Sequence, residues 1–185
     1  MKKLFCLVLI VCLLFAGCGK NDNTNEVNNN KIETNDNNDK VNQEELKVQI
    51  LADNDLLNIT SKDFKKIIDC NLIKEKTVSN EVVTMYTFEV FSSVSGNLVC
   101  ESESDKIGAI TLYTLSSADD EDEKVFEENV HLLMKSCNIS DAEIKMYLED
   151  AYETDIEEEY AKDYDGLKIC FVKYSDYNLF QISVS

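Results

Sequence analysis

Beyond residue 43 the chain falls into short rhythms of apolar and polar residues whose period switches between two and about 3.6. "LKVQI" sets Leu46, Val48 and Ile50 against Lys47 and Gln49, the alternation of a half-buried strand. In "TSKDFKKIIDC", Thr60 and Asp63 stand in capping-box spacing ahead of Phe64, Ile67 and Ile68, which predicts a helix. "EVVTMYTFEVF" places Val82, Tyr86, Phe88 and Val90 on one side of a strand, and "SVSGN" reads as the turn after it. "LVCESES" and "KIGAITLYTL" are two further strands, divided at Ser104-Asp105, and complete a three-stranded meander.

Two helices follow. "DDEDEKVFEENVHLLMKSC" carries acids in its first turn, where they favour the positive end of the helix dipole. Phe126, Val130, Leu133, Met134 and Cys137 form its apolar stripe. Ser140 and Glu143 make a second capping box, and Ile144, Tyr147, Leu148, Ala151 and Tyr152 recur at helical intervals behind it. "LKICFVKY" and "NLFQISVS", joined by Ser175-Asp176-Tyr177, close the chain as two strands. The order β-α-βββ-αα-ββ predicts an α+β fold. An antiparallel sheet of about six strands carries its helices on one face.

The segment ahead of these rhythms is different. Lys2 and Lys3 precede an uncharged apolar run from Leu4 to Phe15, the layout of a secretory signal peptide. The run is shorter than the ~20 apolar residues of a membrane span. At its end, Phe15-Ala16-Gly17-Cys18 resembles the lipobox of bacterial lipoproteins, with Phe15 where that family usually has leucine. The resemblance implies cleavage after residue 17, a diacylglycerol thioether on Cys18 and acylation, such as palmitate, on the new amino terminus. Two or more acyl chains anchor stably where one does not, at ~0.8 kcal/mol per buried CH₂. The expected location is the cell membrane, lipid-anchored at the extracytoplasmic face of the cell envelope.

Residues 18–43 then form the lipidated cysteine and a tether. Asn and Asp dominate it, its apolar residues are isolated and no period is present, so it cannot bury enough surface to offset its ordering entropy. The expected organisation is a signal peptide over 1–17, this Asn-rich disordered tether over 18–43, and one extracytoplasmic domain over 44–185.

Charge narrows the partners. The formal net charge is −18, and loss of Lys2 and Lys3 with the signal peptide takes it to −20. Such a surface repels nucleic acid, anionic lipid and acidic polymers, and attracts cationic partners or divalent metal. Every basic residue is Lys, so no Arg is present to clamp a phosphate or carboxylate through two bonds.

Candidate chemistry is sparse. His131 is the sole histidine and lies about 140° around its helix from Phe126, facing away from the apolar stripe. That count excludes a second histidine for any metal centre, and the scattered glycines exclude a phosphate-binding loop. Cys70, Cys100, Cys137 and Cys170 have two readings: buried free thiols, or structural disulfides in one of three connectivities. Their long gaps lack the C-x-x-C pair of a zinc or redox site.

The most distinctive surface feature is acidic. One cluster holds Asp119, Asp120, Glu121, Asp122 and Glu123, and a second runs through Asp155, Glu157, Glu158, Glu159, Asp163 and Asp165. "KDYDG" has the Asp163, Asp165 and Gly166 spacing of a fragment of a calcium loop, without its remaining oxygen ligands. Its plain alternative is a solvated acidic face with a hairpin turn.

These observations point to a non-catalytic binding or interaction domain. One sharper form is an inhibitor or immunity-type lipoprotein acting on a basic factor. The alternatives are a surface hydrolase or calcium-dependent enzyme using clustered carboxylates, and a structural part of an envelope assembly. Calcium is the only cofactor expectation, and the membrane anchor and a basic protein are the expected partners.

Overall fold

The computed structural model describes residues 48–78 and 82–185. The signal peptide, Cys18 and the tether therefore lie outside the described residues. In chain order the elements are β1 (Ala52–Asp53), β2 (Leu56–Leu57), α1 (Ser61–Phe64), β3 (Asn71–Val78), β4 (Val83–Phe91), β5 (Val94–Glu101) and β6 (Ile107–Leu115). Then come α2 (Asp120–Ser136), α3 (Asp141–Glu153), β7 (Glu159–Tyr164), β8 (Leu167–Lys173) and β9 (Tyr177–Val184). β1 and β2 pair with each other, and the other seven strands form one antiparallel sheet in the order β3-β4-β5-β6-β9-β8-β7. The class is α+β.

The helices start where their caps require. The side chains of Thr60 and Asp63 at α1, and of Ser140 and Glu143 at α3, each make reciprocal capping boxes. Asp119 caps α2 by accepting from the N–H groups of Glu121 and Asp122. The stripe Phe126, Val130, Leu133, Met134 and Cys137 is buried, as are Ile144, Tyr147 and Ala151 of α3.

All three helices pack on one face of the sheet. Phe64 of α1 meets Phe88 of β4 at 5.0 Å between ring centroids, Phe126 of α2 meets Phe171 of β8 at 6.3 Å, and Tyr147 of α3 meets Tyr160 of β7 at 5.1 Å. Leu98, Ile110, Leu112, Ile169, Phe180 and Ile182 complete that face, within one continuous core.

The sequence expectations differ from this fold in several places. The β1–β2 hairpin was not among the expected strands, and the helix expected on "TSKDFKKIIDC" ends at Phe64, with Ile67 and Ile68 buried in the turn and bend that follow. "LKVQI" was expected as a strand. Leu46 and Lys47 lie outside the described residues, and Val48 to Ile50 run unpaired. Ile50 is instead buried against the end of α2, its N–H donating to the Ser136 carbonyl at 2.7 Å.

The sheet has seven strands where about six were expected: "LKVQI" does not join it, and β3 and β7 are added. Both are edge strands, and charges along an edge strand protect it from further pairing at the cost of a clear alternation.

The turn placed on "SVSGN" falls earlier, at Ser92-Ser93, with Ser92 at φ 29°. Gly96 is a mid-strand residue of β5. The Phe88 ring lies so close over it that a Cβ there would sit 2.2 Å from the Thr111 carbonyl oxygen and 2.4 Å from Phe88 Cζ.

Candidate interaction surface

The sheet has two ends. At one, Val48 and Ile50 pack beside the C-terminus of α2, near the β5–β6 and β7–β8 turns. At the other lie the β4–β5 turn, the β6–α2 connection, the α3–β7 connection and the β8–β9 turn. The 17 residues of α2 run between the two, about 25 Å at 1.5 Å per residue.

The far end collects acids from separate parts of the chain. Asp120, Glu121 and Glu123 are exposed around the first turn of α2. Asp122 turns inward, and its carboxylate accepts from Ser93 Oγ at 2.6 Å, tying α2 to the β4–β5 turn. Asp155, Glu157 and Glu158 occupy the α3–β7 connection, held to β8 by the Glu157 N–H on the Lys173 carbonyl at 2.7 Å. Glu159 opens β7 and pairs with Lys168 at 2.6 Å. Tyr152, on α3, faces acids of α2. Burial, and then the carboxylates of Glu127 and Glu123 across on α2, hold its phenol above the ordinary range.

Asp163 and Asp165 do not join them. They lie at the other end of β7, where Asp163 accepts from the Ser185 hydroxyl. Asp165 and Gly166, at φ 48° and 84°, form the two-residue turn of the β7–β8 hairpin. The "KDYDG" stretch is thus a hairpin tip. Among the described residues no three His, Cys, Asp or Glu side chains converge as a metal site.

Apolar side chains accompany the acids at the far end. Leu115 and Tyr177 are register partners on β6 and β9, Leu115 is 48 % exposed, and Tyr174 stacks on Tyr177 at 4.5 Å. Ile156, between Asp155 and Glu157, is 63 % exposed.

The sheet face opposite the helices has its own character. Val83, Met85, Val99, Ala109, Cys170 and Val172 point there, buried yet outside the core cluster. Across its middle run Asn97, Thr111, Gln181 and Cys170, with the Gln181 amide donating to Thr111 Oγ1 at 3.3 Å. Towards the far end this open face becomes Tyr113, Leu115, Leu179, Val172 and Tyr177.

His131 and the cysteines occupy other places. His131 Nε2 and Lys135 Nζ each lie 3.1 Å from Asp141 Oδ1, so the histidine braces the α2–α3 corner. The Lys135 ammonium, with His131 behind it, holds the Asp141 carboxyl below its usual value. Lys135, Ser136, Asn138, Ile139 and Ser140 line a cleft of about 440 Å³ beside Val48 and Gln49.

Sequence reasoning missed this ion-pair corner. The i,i+4 placement of His131 and Lys135 was its only signal, and Asp141 arrives from the next helix.

All four domain cysteines are buried free thiols. Burial pushes Cys70 up to about 11 and Cys100, Cys137 and Cys170 to about 12, so none presents a thiolate at neutral pH. Cys100 faces the core and Cys170 the open face, on opposite sides of the sheet.

No protein-family model matches the chain, and neither a curated protein nor a solved structure matches it.

Proposed function

We propose that this chain is a bacterial lipoprotein, processed at Cys18 and held at the extracytoplasmic face of the cell membrane, whose domain binds a basic protein partner without catalysing a reaction. The observation that carries the reading is the gathering of the Asp119–Glu123 and Asp155–Glu159 segments at the sheet end away from Val48. Complementary charge raises association rates and rejects partners of the same sign. The inhibitor or immunity-type function is the sharper form of this reading, in which the basic partner is a toxic factor.

Two experiments test it. Metabolic labelling with a fatty acid marks the protein, and Cys18→Ser abolishes the label and releases the chain from membranes; an unlabelled chain would remove the anchor from the reading. The intact chain captures a basic protein from envelope extracts, and Glu157→Lys, Glu158→Lys and Glu159→Lys together abolish capture. Capture that survives the reversal would sink the basic-partner reading. No capture combined with a calcium-dependent rise in thermal midpoint would move the function to a metal-dependent site, the ground on which the hydrolase alternative stands.

A further inference from the structure

We infer that the far half of the open sheet face is the docking surface, and that its occupant is a basic polypeptide segment carrying apolar side chains of its own. This rests on the basic-partner reading and adds where the partner sits and what chemistry holds it.

The register sets the surface out in order. One row across the sheet reads Glu89, Ser95, Tyr113, Leu179, Val172, Glu159 from β4 to β7. Five inter-strand steps of ~4.8 Å put its two acids about 24 Å apart, with an apolar centre between them. Leu115 and Tyr177 extend the centre towards the far end, and Tyr174 stacks on Tyr177. Leu115 is 48 % exposed while Val172 is 7 % exposed, so the centre has a buried floor and an accessible wall.

Every helix lies on the other face, and among the described residues no element packs on this one. Leu115 is exposed there and Tyr113, Leu179 and Tyr177 are half-buried, so a partner laid on this face covers apolar side chains that no element of the domain covers.

Charge selects the occupant. Glu89 and Glu159 border the row, Asp176 sits at the β8–β9 turn, and Glu157 lies beside Tyr174. Among the described side chains the cation on this face is Lys168, already paired with Glu159. A second copy of the chain would bring the same acids together, each copy carrying a formal charge of −18 before any processing. Anionic lipid is repelled in the same way. A segment with apolar residues for the centre and Lys or Arg for the borders meets both demands.

The test uses the intact chain and two synthetic probes of equal charge, a peptide alternating Lys and Leu and one alternating Lys and Ser. The Lys–Leu peptide binds about tenfold more tightly, the effect of burying about one leucine side chain. Leu115→Asn and, separately, Leu179→Asn remove most of that difference and leave Lys–Ser binding unchanged. Met146→Asn, at a 59 % exposed position on α3, changes neither, and thermal midpoints confirm that each variant folds.

Equal binding of the two peptides, or Lys–Leu binding untouched by both leucine variants, would overturn the docking surface while leaving the basic-partner reading in place. No binding of either peptide would remove both. Sedimentation of the chain alone gives a monomer; a dimer that Leu115→Asn dissociates would assign the face to a second copy and overturn the proposal.

Discussion

Ser93 Oγ donates to the Asp122 carboxylate at 2.6 Å, joining the β4–β5 turn to the first turn of α2 across 29 residues of sequence. Asp122 is 6 % exposed, the one member of its acidic run that is turned inside, and the Ser93 N–H adds a longer contact at 3.4 Å. Replacing Asp122 by Ala leaves Ser93 without its acceptor and costs ~2 kcal/mol, the range of a hydrogen bond to a charged group. Asp120→Ala and Glu121→Ala, at exposed neighbours, stay within ~0.5 kcal/mol. Denaturant unfolding of the three variants checks this, and equal effects at all three positions would show that Asp122 contributes as surface charge alone.

Gly96 and Gly166 are needed for different reasons, and their alanine variants separate them. At Gly96 a Cβ would meet the Thr111 backbone oxygen at 2.2 Å, an atom that moves only with its strand. Gly96→Ala therefore costs ~3 kcal/mol or more, through overpacking and a distorted β5–β6 pair. At Gly166 the nearest atom is 3.3 Å away, but φ is +84°. Gly166→Ala costs ~1 kcal/mol, the penalty of a side chain in the left-handed region. Urea midpoints of the two variants give the ranking, and Gly166→Ala as the more damaging change would contradict it.

The buried thiols predict a sharp dependence of labelling on unfolding. In the folded chain Cys70, Cys100, Cys137 and Cys170 react slowly with an alkylating reagent, because burial keeps them protonated and out of reach. Unfolding without reductant exposes all four, which peptide mapping by mass spectrometry reads directly. Two of the four resisting label until a reductant is added would establish a disulfide in place of free thiols.

Asp150 on α3 accepts from Tyr160 Oη at 2.6 Å and from Lys162 Nζ at 3.2 Å, tethering the helix to the β7 edge. The Tyr160 bond first, and Lys162 after it, lower its carboxyl from the ordinary value. A carboxylate lowered on folding adds stability above its unfolded pKa, about 4 for Asp, and loses it as pH falls through the folded value. The thermal midpoint of Asp150→Asn therefore falls below that of the native chain at neutral pH, and the gap closes in acid below about pH 4. A gap that widens in acid would contradict the assignment.

What the sequence determined by itself was local. Capping boxes at Thr60 and Ser140, and the stripes ending in Cys137 and Tyr152, are encoded by residues three or four apart, and a helix closes its own hydrogen bonds within that range. The inner strands were legible through alternation for the same reason. β3 and β7 were not, because an edge strand is defined by the neighbour it lacks, and their charges hide the period.

The candidate surface was legible only as composition. Both acidic runs could be read along the chain, yet their arrival at one end of the sheet, the loss of Asp163 and Asp165 to the opposite end, and the inward turn of Asp122 all depend on chain crossings. The tertiary structure decided these because β6 pairs with β9, which brings the β8–β9 turn beside the β6–α2 connection, and because the β4–β5 turn brings Ser93 to Asp122. That same pairing leaves Tyr113, Leu115, Leu179 and Tyr177 side by side on the face without helices. Residues some 60 to 70 positions apart become neighbours only when a sheet aligns them, and no short-range period records that.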